Sequence, residues 1–160
     1  TLTDFERISD HALNIAESAR EIKEKEITFT PEAIHEMDVI MKALERIVHI
    51  TVSSFAENDL DKAYLVEPLE EVIDDLCEKM RFNHVDRLTK GECTILNGYV
   101  FNDLIGNYER ISDHCSNTAA TLIEMEEGVF GLHTYTNEVK DRHTHNFEEN
   151  YKFFSDAFTL

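Results

Sequence analysis

FERISDHALNIAE at residues 5–17 and YERISDHCSNTAA at residues 108–120 align at a constant offset of 103, with eight identities in thirteen positions. Within them the hexapeptide Glu-Arg-Ile-Ser-Asp-His is repeated without change, at residues 6–11 and 109–114. Six identical residues in a row arise by chance on the order of once in a thousand sequences this short, so the repeat implies a duplicated structural unit. Apolar residues recur through the first copy at three- and four-residue steps (Leu2, Phe5, Ile8, Ala12, Ile15, Ala19, Ile22), which predicts an amphipathic helix over residues 1–26.

The same period runs outward from the repeat. After a break at Thr28–Pro31, Thr30 is placed to cap a second helix with Pro31 at its first position. That helix is expected to reach Glu57 on a stripe of Ile34, Met37, Met41, Leu44, Val48, Val52 and Phe55. A third, opening near Asn58–Asp61 and ending at Thr89, carries Leu65, Leu69, Val72, Ile73, Leu76, Met80 and Leu88, with Pro68 expected to kink it or shift its start. A fourth, over about residues 92–126, buries Phe101, Leu104, Tyr108, Ile111, Cys115, Leu122 and Met125. Gly98 and Gly106 weaken its early part by about 1 kcal/mol each relative to alanine. Gly128 and Gly131 precede a last helix over residues 134–157, with Tyr135, Val139, Phe147, Tyr151, Phe154 and Phe158 in register. The expected fold is all-α, an antiparallel bundle of about five long helices.

Composition agrees. The chain has 160 residues, two prolines, five glycines and no tryptophan, too few breakers for an all-β fold. Acidic residues outnumber basic ones 33 to 15, for a formal charge of -18. That field repels nucleic acid and anionic lipid and attracts cations or basic surfaces. Cys77, Cys93 and Cys115 are odd in number and lack C-x-x-C spacing, which argues against a disulfide scaffold or zinc ribbon. No apolar run is long enough to span a bilayer.

Both repeats contain Glu-x-x-x-Asp. On a helix the two carboxylates sit about 40° apart on one face. Glu6 and Asp10, like Glu109 and Asp113, then lie away from the apolar stripe. A like-charge pair at this spacing costs a helix about 0.2–0.5 kcal/mol, and its retention in both copies points to a compensating cation. Glu70 and Asp74 repeat the spacing, among Glu67, Glu71 and Asp75. Oxygen-only sites suit hard cations. Against this, most carboxylate-rich helix faces are merely solvated. His11 and His114 are read first as flanking histidines that bond a neighbour, and His133, His143 and His145 as a loose cluster. Glu32-x-x-His35 is a lone E-x-x-H, where a carboxylate-bridged di-metal enzyme needs two. Two function classes follow from these residues: such a metalloenzyme, and a purely structural dimerisation bundle built on an exposed face of the first helix and on the aromatic row Phe147, Tyr151, Phe154 and Phe158.

DFERISDHALNIAE and NYERISDHCSNTAA resemble the signature of PhoU-like domains, which lies on the third helix of a three-helix unit. The run VEPLEEVIDDL, followed by HVDRL-x-x-GEC and the second motif, is most similar to the cytoplasmic PhoU-like tail of bacterial sodium-dependent phosphate cotransporters. The resemblance implies one PhoU-like domain over residues 1–160. Residues 31–126 would form a complete unit, residues 1–26 the motif helix of a preceding unit whose other helices would lie before Thr1, and residues 134–157 a C-terminal helix. It implies regulation of phosphate uptake rather than catalysis, at the cytoplasmic face of the bacterial membrane. The implied partners are a transporter domain of the same polypeptide and a second copy, with neither nucleic acid bound nor membrane entered. It also implies a multinuclear metal site, of iron or another hard cation, held by Glu6, Asp10, Glu70, Asp74, Glu109 and Asp113.

Overall fold

The computed structural model describes residues 1–127 and 144–160. Its helices are α1 (Leu2–Glu24), α2 (Pro31–Glu57), a short α3 (Leu60–Ala63), α4 (Val66–Thr89), α5 (Ile95–Glu127) and α6 (Thr144–Ala157). The described residues contain no strand. An all-α bundle is therefore the fold.

The helix ends follow from local chemistry. The chain leaves α1 through Glu26 at φ 51, and the Ile27 N–H donates to the Ile22 carbonyl at 2.9 Å, closing the last turn. Thr30 accepts from the Ala33 N–H at 3.2 Å and starts α2, with Pro31 at a position where a missing N–H costs nothing. Asn58, expected to open the third helix, instead closes α2 in the left-handed region at φ 54. Asp59 then caps α3 by accepting from the Lys62 N–H. Pro68 falls in the first turn of α4, so it shifts the helix start. Gly91 at φ +72 ends α4, and Thr94 accepts from the Asn97 N–H to start α5.

The core lies where α2, α4 and α5 meet. Ile40 and Ile47 of α2, Leu69, Ile73 and Met80 of α4, and Phe101 and Ile105 of α5 are fully enclosed. Burial of each such side chain contributes about 1.5–3 kcal/mol. On α4 and α5 the expected stripes face inward, except for Met125, which is exposed. On α2 the expected stripe is partly rotated: Leu44 is buried and Met37 and Val48 pack against the core. Ile34, Met41, Val52 and Phe55 reach solvent, while Val39, Ile40, Ala43, Ile47 and Ile50 fill the core. The reason is that α2 is apolar over two adjacent arcs. One meets α4 and α5. The other, with Met41, Val48 and Val52, floors a groove of about 1000 Å³ beside Ala12 and Ile15 of α1.

Two polar contacts cross the core. Arg87 of α4 donates to both oxygens of Glu36 on α2, at 2.8 and 2.7 Å, and Asn83 donates to Glu36 at 2.8 Å. The Arg87 guanidinium also lies 5.3 Å from the Phe101 ring centre. Buried His84 lies tilted against the Phe101 ring, with centres 5.3 Å apart, and covers Gly98, where a Cβ would stand 2.3 Å from the imidazole Nε2. Gly98 is thus required by close packing of α4 on α5. A Cβ at Gly106 would meet nothing within 4 Å.

α1 packs chiefly on α5, and Phe5 meets Phe55 of α2 edge-on at 5.4 Å. Only Ser18 of α1 is buried. α6 packs on α4 through Phe154, with Tyr151 and Phe158 beside it. Of the aromatic row considered for self-association, Tyr151, Phe154 and Phe158 thus pack towards α4. Tyr135, Val139, His133 and His143 lie outside the described residues, and with them the cluster they were expected to form with His145.

Candidate metal centre on the motif helix

α4 and α5 run antiparallel, so Ser116 meets Glu67 at one end and the Cys77 thiol approaches the Ile105 carbonyl further along. Between these contacts Glu70 and Asp74, one turn apart on α4, face Asp113 of α5. Each of the three offers an oxygen, and these oxygens all lie within 4.8 Å of one another. Their neighbours are engaged elsewhere. Glu67 accepts from the Ser116 hydroxyl, Asp75 from the Tyr151 hydroxyl, and Glu109 from both terminal nitrogens of Arg81. Asp74 Oδ1 is enclosed and has no hydrogen-bond partner.

Such crowding disfavours ionisation. Burial, then Asp74 and Glu67, pushes Glu70 up to about 8. Burial, then Asp113 and Glu109, pushes Asp74 up to about 6, with Arg81 opposing. Asp113 is raised by burial and Glu109 and eased by His114, Arg110 and His11. Without a cation the three cannot all ionise near neutrality. An orphaned carboxylate oxygen within a set of convergent hard oxygens fits Mg²⁺, Mn²⁺ or iron. The donor set thus suits the group the family resemblance implies.

The first copy is placed differently. Glu6 and Asp10 are exposed on α1, Asp10 lies 3.8 Å from Arg7, and no group of three ligands includes either among the described residues. The structure brings together Glu70, Asp74 and Asp113. It sets Glu109 at their edge, held by Arg81, and leaves Glu6 and Asp10 apart. Glu32 and His35, the lone E-x-x-H, are exposed in the first turns of α2 and do not join the group.

The two copies nevertheless face each other. α1 and α5 are antiparallel, and His11 stacks on His114 with ring centres 5.9 Å apart. His11 Nδ1 is 2.9 Å from Asn107 Oδ1, and His114 Nδ1 is 3.1 Å from Asp4 Oδ1. Asp4 and Asn107 are themselves related by the repeat offset, so the two hydrogen bonds are counterparts about a local two-fold axis between the imidazoles. Both histidines thus bond a neighbour. Asn107 also accepts from Asn14 at 3.1 Å and donates to the Asp103 carbonyl at 2.8 Å. Sequence reasoning aligned Asn107 with Asp4, at the heads of NYERISDH and DFERISDH, but assigned neither a pairing role. It also missed Arg81, whose signal is its position two turns after Asp74 on the same face of α4.

Residues 33–122 match the family model described as the PhoU domain. The chain belongs to the PhoU domain family. Two curated relatives agree. PhoU homolog 1 of Thermotoga maritima, named as a phosphate-specific transport system accessory protein, is 30% identical over 125 residues, covering 78% of this chain and 53% of the relative. A PhoU homolog of Streptococcus pneumoniae with the same description is 26% identical over 126 residues, covering 79% of this chain and 57% of the relative. The chain thus spans little more than half the length of the curated relatives it matches. No solved structure gives a significant match. No helix among the described residues of this PhoU-family chain is long and apolar enough to cross a membrane.

Proposed function

We propose that this PhoU-family chain regulates phosphate uptake as a cytoplasmic domain attached to a sodium-dependent phosphate transporter, and that Glu70, Asp74 and Asp113 hold a hard cation that braces α4 against α5. The observation that carries the metal reading is the enclosed, unpartnered Asp74 oxygen facing two further carboxylates. The regulatory reading draws its support from the family and from the relatives' description as transport accessory proteins. The transporter attachment rests on the resemblance of the VEPLEEVIDDL and HVDRL-x-x-GEC segments to cotransporter tails.

A bound cation supplies charge neutralisation at this face. The chain's own residues do the rest. α4 and α5 set the spacing of the three carboxylates, Ser116 and Tyr151 hold Glu67 and Asp75 to the sides, and the Glu36–Arg87 pair fixes α4 on α2. The site would act by stiffening a helix pair, with no chemistry on phosphate. Deleting this region from the full-length protein is expected to change how phosphate uptake responds to external phosphate. Uptake and response identical to the intact protein would contradict the proposal. Asp74→Asn in the full-length protein separates the metal from the domain, because it removes the ligand and leaves the bundle.

A further inference from the structure

We infer that the groove between α1 and α2 seats α2 of a second copy of this chain, so that two α2 helices pair antiparallel about a two-fold axis between Ala43 and Leu44. This goes beyond the regulatory and metal readings and depends on neither. The groove holds about 1000 Å³ and is lined by Met41, Val48 and Val52 of α2 and by Ala12 and Ile15 of α1. Ile34, Met41 and Val52 stand 54%, 46% and 48% exposed along this side of α2. An exposed apolar row over about five helical turns marks a surface that another element covers.

The repeat shows what shape the groove takes. At the offset of 103, Ile8, Ala12 and Ala16 of α1 correspond to Ile111, Cys115 and Ala119 of α5. On α5 all three are buried, and Cys115 lies against the Thr51 hydroxyl of α2. On α1 Ala12 and Ala16 are exposed. α1 therefore repeats a face that on α5 seats an apolar helix, and its small side chains allow close approach. A second copy supplies such a helix through the uncovered arc of its own α2. The charges at the rim favour this occupant. Asp38, Lys42, Glu45 and His49 line the groove at three- and four-residue steps. In an antiparallel pair centred between Ala43 and Leu44, Lys42 falls opposite the partner's Glu45, and Asp38 opposite the partner's His49. Ile34 falls beside the partner's Val52. Lys42 bonds Asp38 at 2.6 Å within its own helix, so one ammonium can serve both chains. The pattern is self-complementary, as an isologous interface requires. A partner of uniform charge, basic or acidic, would meet a like charge at this rim.

The test is sedimentation equilibrium of the whole chain with a charge-reversal cycle: Lys42→Glu, Glu45→Lys and the two together. Both side chains are exposed, so the reversals leave the bundle intact. The unaltered chain is expected to form a concentration-dependent dimer. Each single reversal sets like charges against each other twice in that dimer and should weaken it by at least about tenfold. The double variant restores opposite charges and should return to within about threefold of the unaltered chain. Mixing the two single variants should restore association as well. Val52→Glu should abolish the dimer, whereas Phe82→Glu, at 75% exposure on α4, should leave it. A monomer at every concentration would overturn the inference. So would a dimer that the single reversals and Val52→Glu leave intact, or one that the double variant fails to restore. Loss with Phe82→Glu but not with Val52→Glu would move the interface to α4 and overturn it too.

Discussion

The same hexapeptide is carried on two helices with opposite circumstances. On α5 it is the last helix of a packed triad, and Asp113 looks across to Glu70 and Asp74. On α1 it lies on an outer helix whose carboxylates face solvent. Identical residues therefore have different surroundings, because what lies opposite a carboxylate is set by the neighbouring helix. What the two copies share is their contact with each other. The stacked histidines and the paired Asp4 and Asn107 contacts show that the conserved spelling of the repeat serves helix pairing on both sides.

The largest expected difference is in stability. Phe101→Ala, at a fully enclosed position of α5, should cost about 3–5 kcal/mol in denaturant unfolding. Leu13→Ala on α1, at 60% exposure, should change it by less than about 0.5 kcal/mol. Comparable losses would mean that α1 is as firmly packed as α5.

The pH dependence comes next in size. Glu70 and Asp74 are raised to about 8 and about 6 from ordinary values of 4.5 and 3.8, so the folded chain binds their protons more tightly than the unfolded chain does. Their protonation stabilises the fold. That stability is fully present below the ordinary values and is lost as pH rises through about 6 and then about 8. Metal-free protein should accordingly gain on the order of 1–3 kcal/mol as pH falls from about 9 to about 5. Asp74→Asn should flatten this slope, whereas Asp10→Asn should leave it. Unfolding curves across pH measure both, and a slope that Asp10→Asn removes would invert the comparison.

The glycines of α5 give a smaller contrast with opposite signs. Gly98→Ala must push against His84 and should cost about 1–3 kcal/mol. Gly106→Ala meets open space in a helix and should gain about 0.5–1 kcal/mol. Thermal melts distinguish them. Equal effects would mean that His84 does not press on α5 as described.

How much of this was legible in the sequence depended on whether the signal was local. The spans of α1, α2 and α5, the Thr30 cap and the Pro68 effect are set by neighbouring residues, and they were read within a few positions. The repeat located Asp113, and spacing located Glu70 and Asp74. The rotation of α2 was not legible, because a helix apolar on two arcs offers two stripes and only its partners choose between them. Nor was the division among the carboxylates. Glu109 and Asp113 look equivalent along the chain, and what separates them is Arg81, on another helix. Glu36, His84 and Arg87 were missed for a related reason: polar residues in a core are stabilised by one another, and periodicity counts only apolar ones.

The most direct test of the claim that one copy is a metal site and the other is not is a Mn²⁺ titration of the unaltered chain, Asp74→Asn, Asp113→Asn and the Glu6→Gln/Asp10→Asn pair, side by side. The expected result is saturable binding by the unaltered chain and by the α1 variant with the same affinity, and loss of at least about tenfold in affinity for either α4–α5 variant. Equal loss in all three variants, or binding that none of them alters, would contradict it.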